Sequence, residues 1–201
     1  GDIYFALKGE HFNGNLFAAD ALKSGAKYVV VDEQIQHFDY DLEQVVIVDD
    51  VLKAMQQLGL YHRQQVGCKV IALTGSNGKT TTKELMAAVL STTFKTHFTK
   101  GNLNNHIGIP LTLLEMPADT EIAVVEMGAN HQLEIKGYCD YVEPDYGLIT
   151  NVGKAHLEGF GGEEGVVKGK TELYEYIGRK GGVLFVNDRS EKLIERAFAF
   201  S

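Results

Sequence analysis

The feature that most restricts what this chain can fold into is the apolar run Val70 to Leu73 feeding directly into T74-GSNGKTT-81. A strand, a glycine-containing turn and a Lys-Thr-Thr helix start are the parts of a phosphate-binding loop. Such a loop needs a sheet on one side and a helix on the other. Gly75 and Gly78 let backbone N–H groups, including those of Ser76 and Asn77, converge on phosphate oxygens. The helix N-terminus adds its positive dipole end and Lys79 a mobile cation. Thr80 is placed to bind magnesium, with Thr81 beside it in the first helical turn. The spacing departs from G-x-x-x-x-G-K-[ST], because Leu73 stands where that pattern has glycine. The shorter T-G-x-x-G-K-T form points to a subset of nucleotide-binding enzymes. A bare glycine turn with a solvated Lys79 would explain neither the Lys-Thr-Thr run nor the strand leading into it.

At 201 residues, 44% of them hydrophobic, with 22 Gly and 3 Pro, the chain is long enough for one or two globular α/β domains. A formal charge of -8 argues against a general nucleic-acid or membrane-surface binder. A single anionic nucleotide needs only local positive groups. Cys68 and Cys139 lie far apart without a C-x-x-C spacing, so neither a zinc site nor a disulfide framework is indicated, and a reduced, cytoplasmic setting is expected. No signal peptide or run of roughly 18 apolar residues is present. A monomer is the simplest expectation. The opening at Gly1 without Met and the stop at Ser201 after an apolar, helix-like stretch suggest a piece of a longer protein.

The first 66 residues carry strand candidates at Ile3 to Leu7, Tyr28 to Val31 and Val45 to Val48, separated by helix-like stretches at Leu16 to Ser24 and Val51 to Gln65. This reads as a small α/β domain, residues 1–66, followed by a second domain, residues 67–201, with the phosphate loop at its first turn. In that second domain the pattern predicts helices over Thr80 to Leu90, Gln132 to Tyr138 and Glu164 to Tyr176, and strands over Ile122 to Glu126, Tyr146 to Thr150 and Val183 to Asn187. Near-continuous Val, Ile and Leu suit strands covered on both faces, so a doubly wound, mostly parallel sheet is predicted. Ligands of such sheets bind at the carboxyl ends of the strands.

Residues able to carry chemistry gather at those ends. The strand from Ile122 delivers Glu126, just before M127-GANH-131, to the edge where a magnesium ion held by Thr80 could be completed; a helix cap or solvated rim group is the plainer alternative. T150-NVGKAHLEGFG-161 brings Asn151, Lys154 and His156 to the same edge. His156 alone would be a packing or surface residue. Lys170, on the helix that returns over the edge, changes that, since a lysine carbamylated by carbon dioxide would be an acid suited, with His156, to a second metal. Unmodified, Lys170 is a cation near phosphate, which is the plainer reading. Asn102, Asn104 and Asn105 crowd one loop before an apolar helix, where they serve as turn and cap residues or orient a peptide-like substrate by hydrogen bonds. His97, His106 and His131 form no ligand set by spacing.

Taken together, TGSNGKTTTKE, GNLNNHIGIPLTLLE, EMGANHQLEI and NVGKAHLEGFG resemble the Mur ligases, ATP-dependent amide-forming enzymes of bacterial peptidoglycan synthesis, over nearly the whole chain. The GNLNN loop is most similar to the branch that adds D-alanyl-D-alanine to UDP-N-acetylmuramoyl-tripeptide, and the opening GDIYFALKGEHFNG is similar to that branch's UDP-sugar-recognising domain. The resemblance implies that ATP phosphorylates the tripeptide carboxylate and that the dipeptide amine attacks the acyl phosphate. By motif position, Lys79 would hold the terminal phosphates, Thr80 and Glu126 a first Mg2+, and His156 a second. Lys170 would be the carbamylated lysine, with Lys168 its rival, and Asn105 would meet the muramoyl-peptide. V186-NDRS-190 only partly matches the family's adenine-side segment. The family's third, C-terminal domain has no counterpart here, which implies little or no ligase activity for this polypeptide by itself. A GTPase-like switch would want an Asn-Lys-x-Asp guanine reader, which V186-NDRS-190 is not. Within the ligase class, the sibling that adds diaminopimelate or lysine and a folate polyglutamate ligase are alternatives against which the GNLNN loop argues.

Overall fold

Short β-branched runs become parallel strands in this chain because most are followed by a segment long enough to carry the backbone across to the next strand position. The structure, a computed structural model, describes residues 2–34, 42–153 and 156–200. It divides into two units, one ending at Leu58 and the other beginning at Gly59.

The first unit contains β1 (Ile3–Phe5), a two-stranded antiparallel hairpin of β2 (Lys8–Gly9) and β3 (Phe12–Asn13), α1 (Ala18–Lys23), β4 (Tyr28–Val31), β5 (Val45–Ile47) and the start of α2 (Val51–Val66). Its main sheet is parallel in the order β1-β4-β5, and Ala6, Ala18, Val29, Val30, Val31 and Val51 form its core. The helix expected from Leu16 is instead a 3-10 turn, Gly14–Phe17, running into the shorter α1. The Asn13 side chain accepts the Asn15 amide at 3.0 Å and starts the tight turn early. Asn15 itself is buried and exchanges hydrogen bonds with Asp32, at 2.7 Å from its amide and 3.1 Å to its carbonyl.

The second unit runs through β6 (Lys69–Thr74), α3 (Lys79–Leu90), β7 (Thr96–Phe98), α4 (Gly108–Leu114), β8 (Ile122–Glu126), α5 (Glu134–Val142), β9 (Tyr146–Ile149), α6 (Leu157–Phe160), α7 (Glu163–Lys180), β10 (Val183–Phe185) and α8 (Glu191–Phe198). The sheet order is β10-β9-β6-β8-β7, every pair parallel. From β6 the chain goes out to the edge at β7, returns to β8, then crosses β6 to reach β9. The carboxyl end of β6 therefore lies at a topological switch point, where an open parallel sheet leaves a crevice. The core joins Val70 and Ala72 of β6 and Ala123 and Val125 of β8 with Ile109, Ile135, Leu173 and Ile177 from the covering helices, all fully buried.

The expected strand and helix types are present, with shifted ends. The helix expected from Gln132 begins at Glu134, because Leu133 sits at φ 70° and its amide is taken at 2.6 Å by the Glu172 carboxylate. β10 stops at Phe185, after which Asn187 turns to donate to the Thr150 carbonyl at 3.0 Å. β7 is too short to have shown a period. The two compact units part within α2, upstream of the boundary at residue 66 read from the sequence. Its C-terminal half is tied into the second unit: His62 Nε2 lies 2.8 Å from the Met116 carbonyl, and Arg63 donates to the Val142 and Glu143 carbonyls at 2.9 and 3.0 Å.

Asp145 closes the amino end of the sheet. Its carboxylate accepts the Val70 amide at 2.9 Å and pairs with Lys69 at 3.0 Å and Arg63 at 3.4 Å. Burial pushes this carboxyl up, but the Val70 amide and the two cations outweigh it and hold it below its ordinary value. A depressed carboxylate contributes stability that is full above the unfolded pKa of about 4 and is lost as pH falls through the lower folded value. Asp145→Asn is expected to lower unfolding free energy near pH 7 by about 1–3 kcal/mol in urea titrations. The difference from wild type should shrink as pH falls below about 4.

Candidate functional site

The phosphate loop is built as its residues require. Gly75 and Gly78 adopt φ 147° and 77°, and a Cβ at Gly75 would run into the Thr150 hydroxyl. The loop is not free-standing, because the segment after β9 is bonded along it. Asn151 accepts the Asn77 amide on its side-chain oxygen at 3.0 Å and donates back to the Asn77 carbonyl at 2.9 Å. Its backbone carbonyl accepts the Ser76 amide at 3.0 Å, and the Gly153 amide donates to the Ser76 hydroxyl at 2.9 Å. Lys79 folds back over the loop and donates to the Gly75 carbonyl at 2.9 Å. Thr80 and Thr81 are exposed on the first turn of α3.

Glu126, the last residue of β8, is completely buried. Its amide is held by the Thr99 hydroxyl at 3.0 Å. Its Oε1 accepts the Thr80 hydroxyl at 3.3 Å and the Asn104 amide at 2.7 Å. Its Oε2 accepts no hydrogen bond among the described residues, although the buried Lys83 ammonium stands 3.7 Å away. A hydroxyl and a carboxylate joined on one oxygen, with a second buried oxygen left over, form a hard-oxygen donor set that fits a magnesium ion.

Beside this junction lies a cavity of about 320 Å³ lined by Lys79, Asn104, Asn105, Gly128, Ala129, Asn130, Glu134, Tyr138, His106 and His156. Among the sequence candidates, Lys79, Asn104, Asn105 and His156 thus share one wall system, while Glu126 lies behind Asn104. His156 is exposed, at φ 53° immediately before α6. Asn105 also caps α4, accepting the Ile107 and Gly108 amides at 3.1 and 2.8 Å, so the two readings of that loop coexist. Lys170 is not a wall residue. It is 1% exposed, donates to the Ala129 carbonyl at 3.0 Å and lies over the Phe160 ring. Burial, then the Lys79 charge, pulls its ammonium down to about 8. Lys168, two residues earlier, is exposed. Lys154 lies outside the described residues. His97 is buried against the Thr112 carbonyl, at 2.7 Å, and belongs to the core. The sequence reading did not pick out Glu134, whose Oε2 accepts the Asn130 and His131 amides at 2.6 and 2.8 Å, or Glu172, which holds Leu133 and Lys136. The acid following N130-HQL-133 was the available signal for Glu134. For Glu172, far along the chain, there was none.

Residues 73–199 match the Mur ligase middle domain. The chain belongs to the Mur ligase family. It is 41% identical over 197 residues to the UDP-N-acetylmuramoyl-tripeptide--D-alanyl-D-alanine ligase of Bacillus subtilis, covering 98% of this chain and 42% of that one. It is 42% identical over 193 residues to the Escherichia coli ligase of the same name, covering 96% and 42%. Among solved structures, MurF from Acinetobacter baumannii superposes with a TM-score of 0.87 at 41% identity, covering 99% of this chain and 44% of that one. The Thermotoga maritima MurF ligase solved in complex with ADP gives 0.88 at 30% identity, covering 100% and 46%. The chain therefore spans less than half the length of the relatives it matches. No helix among the described residues is long and apolar enough to cross a membrane.

Gly75→Ala is expected to lower the unfolding free energy by about 1–3 kcal/mol, because the loop must move off Thr150 to make room for a methyl group at positive φ. Urea titration followed by circular dichroism measures it.

Proposed function

We propose that this Mur ligase chain is the nucleotide-binding part of an enzyme that uses ATP to join D-alanyl-D-alanine to UDP-N-acetylmuramoyl-tripeptide. The observation that carries this reading is the shared Glu126 Oε1, which ties the first turn after the phosphate loop to the GNLNN loop. The names of the most similar relatives and the ADP held by the Thermotoga maritima enzyme support it. The first unit, with its parallel sheet and hairpin, is the UDP-sugar-recognising domain in this reading, and the third residue of the tripeptide is left open.

In this scheme Gly75 to Thr81 wrap the phosphates, and Lys79 leaves the Gly75 carbonyl to follow the charge of the phosphoryl group in flight. Thr80 and Glu126 would hold one Mg2+ and His156 a second, the ions screening the oxygens of the transferring phosphoryl group and of the acyl phosphate. Asn104 and Asn105 line the same cavity as Lys79 and would meet the peptide end of the substrate with the hydrogen-bonding capacity left over from Glu126 and the α4 cap. Lys170, buried and with its ammonium pulled down by its surroundings, would give up a proton to become the neutral amine, add carbon dioxide through a new N–C bond and release a second proton to solvent, leaving a carbamate beside Ala129.

Two measurements test this. In the full-length protein, ATP hydrolysis should depend on D-alanyl-D-alanine and not on single amino acids, and Lys79→Met should cut turnover by on the order of a hundredfold or more. Equal stimulation by a single amino acid would place the enzyme in another branch of the family. Carbon-13 NMR in labelled bicarbonate should show a carbamate resonance that Lys170→Ala abolishes and Lys168→Ala keeps; the reverse pattern would assign the adduct to Lys168.

A further inference from the structure

Lys83 is the charge that the phosphate-loop reading leaves unused. It lies one helical turn beyond Lys79, on α3, with a side chain that is 0% exposed. A fully buried ammonium is costly unless it is paired. Its neighbours are the Gly101 carbonyl at 3.2 Å, the half-exposed Glu84 carboxylate at 3.1 Å and Glu126 Oε2 at 3.7 Å. Lys83 therefore touches both sides of the junction at Glu126. It holds the loop that carries Asn104, and it faces the carboxylate oxygen that accepts no hydrogen bond.

Resting on the proposed nucleotide site, we propose that Lys83 is a positioning residue that balances the charge of Glu126 before nucleotide arrives, so that this site takes up a divalent cation only together with phosphates. Without nucleotide, the buried Glu126 carboxylate faces the Lys83 ammonium, which is shared with the half-exposed Glu84, while Lys79 is folded onto the Gly75 carbonyl of the adjoining loop. The Lys83 charge weakens the pull of Glu126 on a bare cation. Nucleotide phosphates add negative charge, and the oxygens of Thr80 and Glu126 become favourable ligands. Lys83 also turns the carboxylate so that Oε1, not Oε2, meets Thr80 and Asn104.

The test uses Mn2+ as the probe, counted by electron paramagnetic resonance of the unbound ion. Wild-type chain should bind Mn2+ weakly by itself and about tenfold or more tightly once ADP is added. Lys83→Met, folded by circular dichroism, should bind Mn2+ without ADP about tenfold or more tightly than wild type. A residue that merely supported the fold would not produce that gain. The double variant Lys83→Met/Glu126→Gln should lose the gain, which separates Glu126 from Glu84 as the carboxylate released. A folded Lys83→Met with wild-type Mn2+ affinity, while ADP still enhances binding to wild type, would overturn the role of Lys83 and leave the nucleotide site standing. A gain that survives in the double variant would overturn it too, by assigning the released charge to Glu84. Should Lys83→Met fail to fold, wild type decides: equal Mn2+ affinity with and without ADP overturns the inference. Absence of any ADP binding to wild type would overturn the nucleotide reading and this inference with it.

Discussion

A single carboxylate with nowhere to go but inward organises this molecule. Glu126 ends a strand that is buried on both faces, so its charge must be met by neighbours rather than by water. The neighbours of the carboxylate come from two segments, Thr80 and Lys83 from successive turns of α3 and Asn104 from the loop before α4, while the Thr99 hydroxyl, just after β7, accepts the Glu126 backbone amide. Removing the charge would leave several donors unsatisfied at once. That cost ties the loops together more firmly than any one hydrogen bond could.

The strand order makes this meeting possible. With β6 flanked by β8 and β9, the loops after all three strands open on the same edge, and the chain must cross β6 to get from one to the other. The segment after β9 uses that proximity to splint the phosphate loop through Asn151 and Gly153, while the segment after β8 supplies the cavity wall from Gly128 to Asn130. Helix α7 then lies behind that wall. Its Lys170 reaches the Ala129 carbonyl and its Glu172 caps the start of α5, so one helix fixes both the position of the buried amine and the floor of the cavity.

How much of this could be read from the residues depended on sequence distance. The phosphate loop was legible because its strand, glycines and Lys-Thr pair are contiguous, and each has a local physical reason to be there. Glu126 was legible as a strand-end acid, because an apolar run that stops on a carboxylate leaves few alternatives. Local rules failed where a contact closes over many residues. The start of α5 slipped from Gln132 to Glu134 because a carboxylate on α7 captures the Leu133 amide, a tertiary contact that overrides helix propensity. The cavity-lining role of Glu134 and Tyr138 and the burial of Lys83 likewise depend on what packs against them, since the same helix letters could as well have faced solvent. Lys170 holds the motif position and Lys168 is its rival under a two-residue slip; one is buried and the other exposed, because the helical period turns them to different faces.

The central claim is that Glu126 and Thr80 together receive the metal that accompanies the nucleotide phosphates. Crystals of this chain grown with Mn2+ and a non-hydrolysable ATP analogue, measured at a wavelength where manganese scatters anomalously, address it directly. The account predicts an anomalous peak within coordination distance of both Thr80 Oγ1 and a Glu126 carboxylate oxygen, with the phosphates lying over Gly75 to Lys79. Phosphates seated in that loop with the manganese peak on other protein ligands, and Glu126 still hydrogen-bonded only to Thr80 and Asn104, would contradict it.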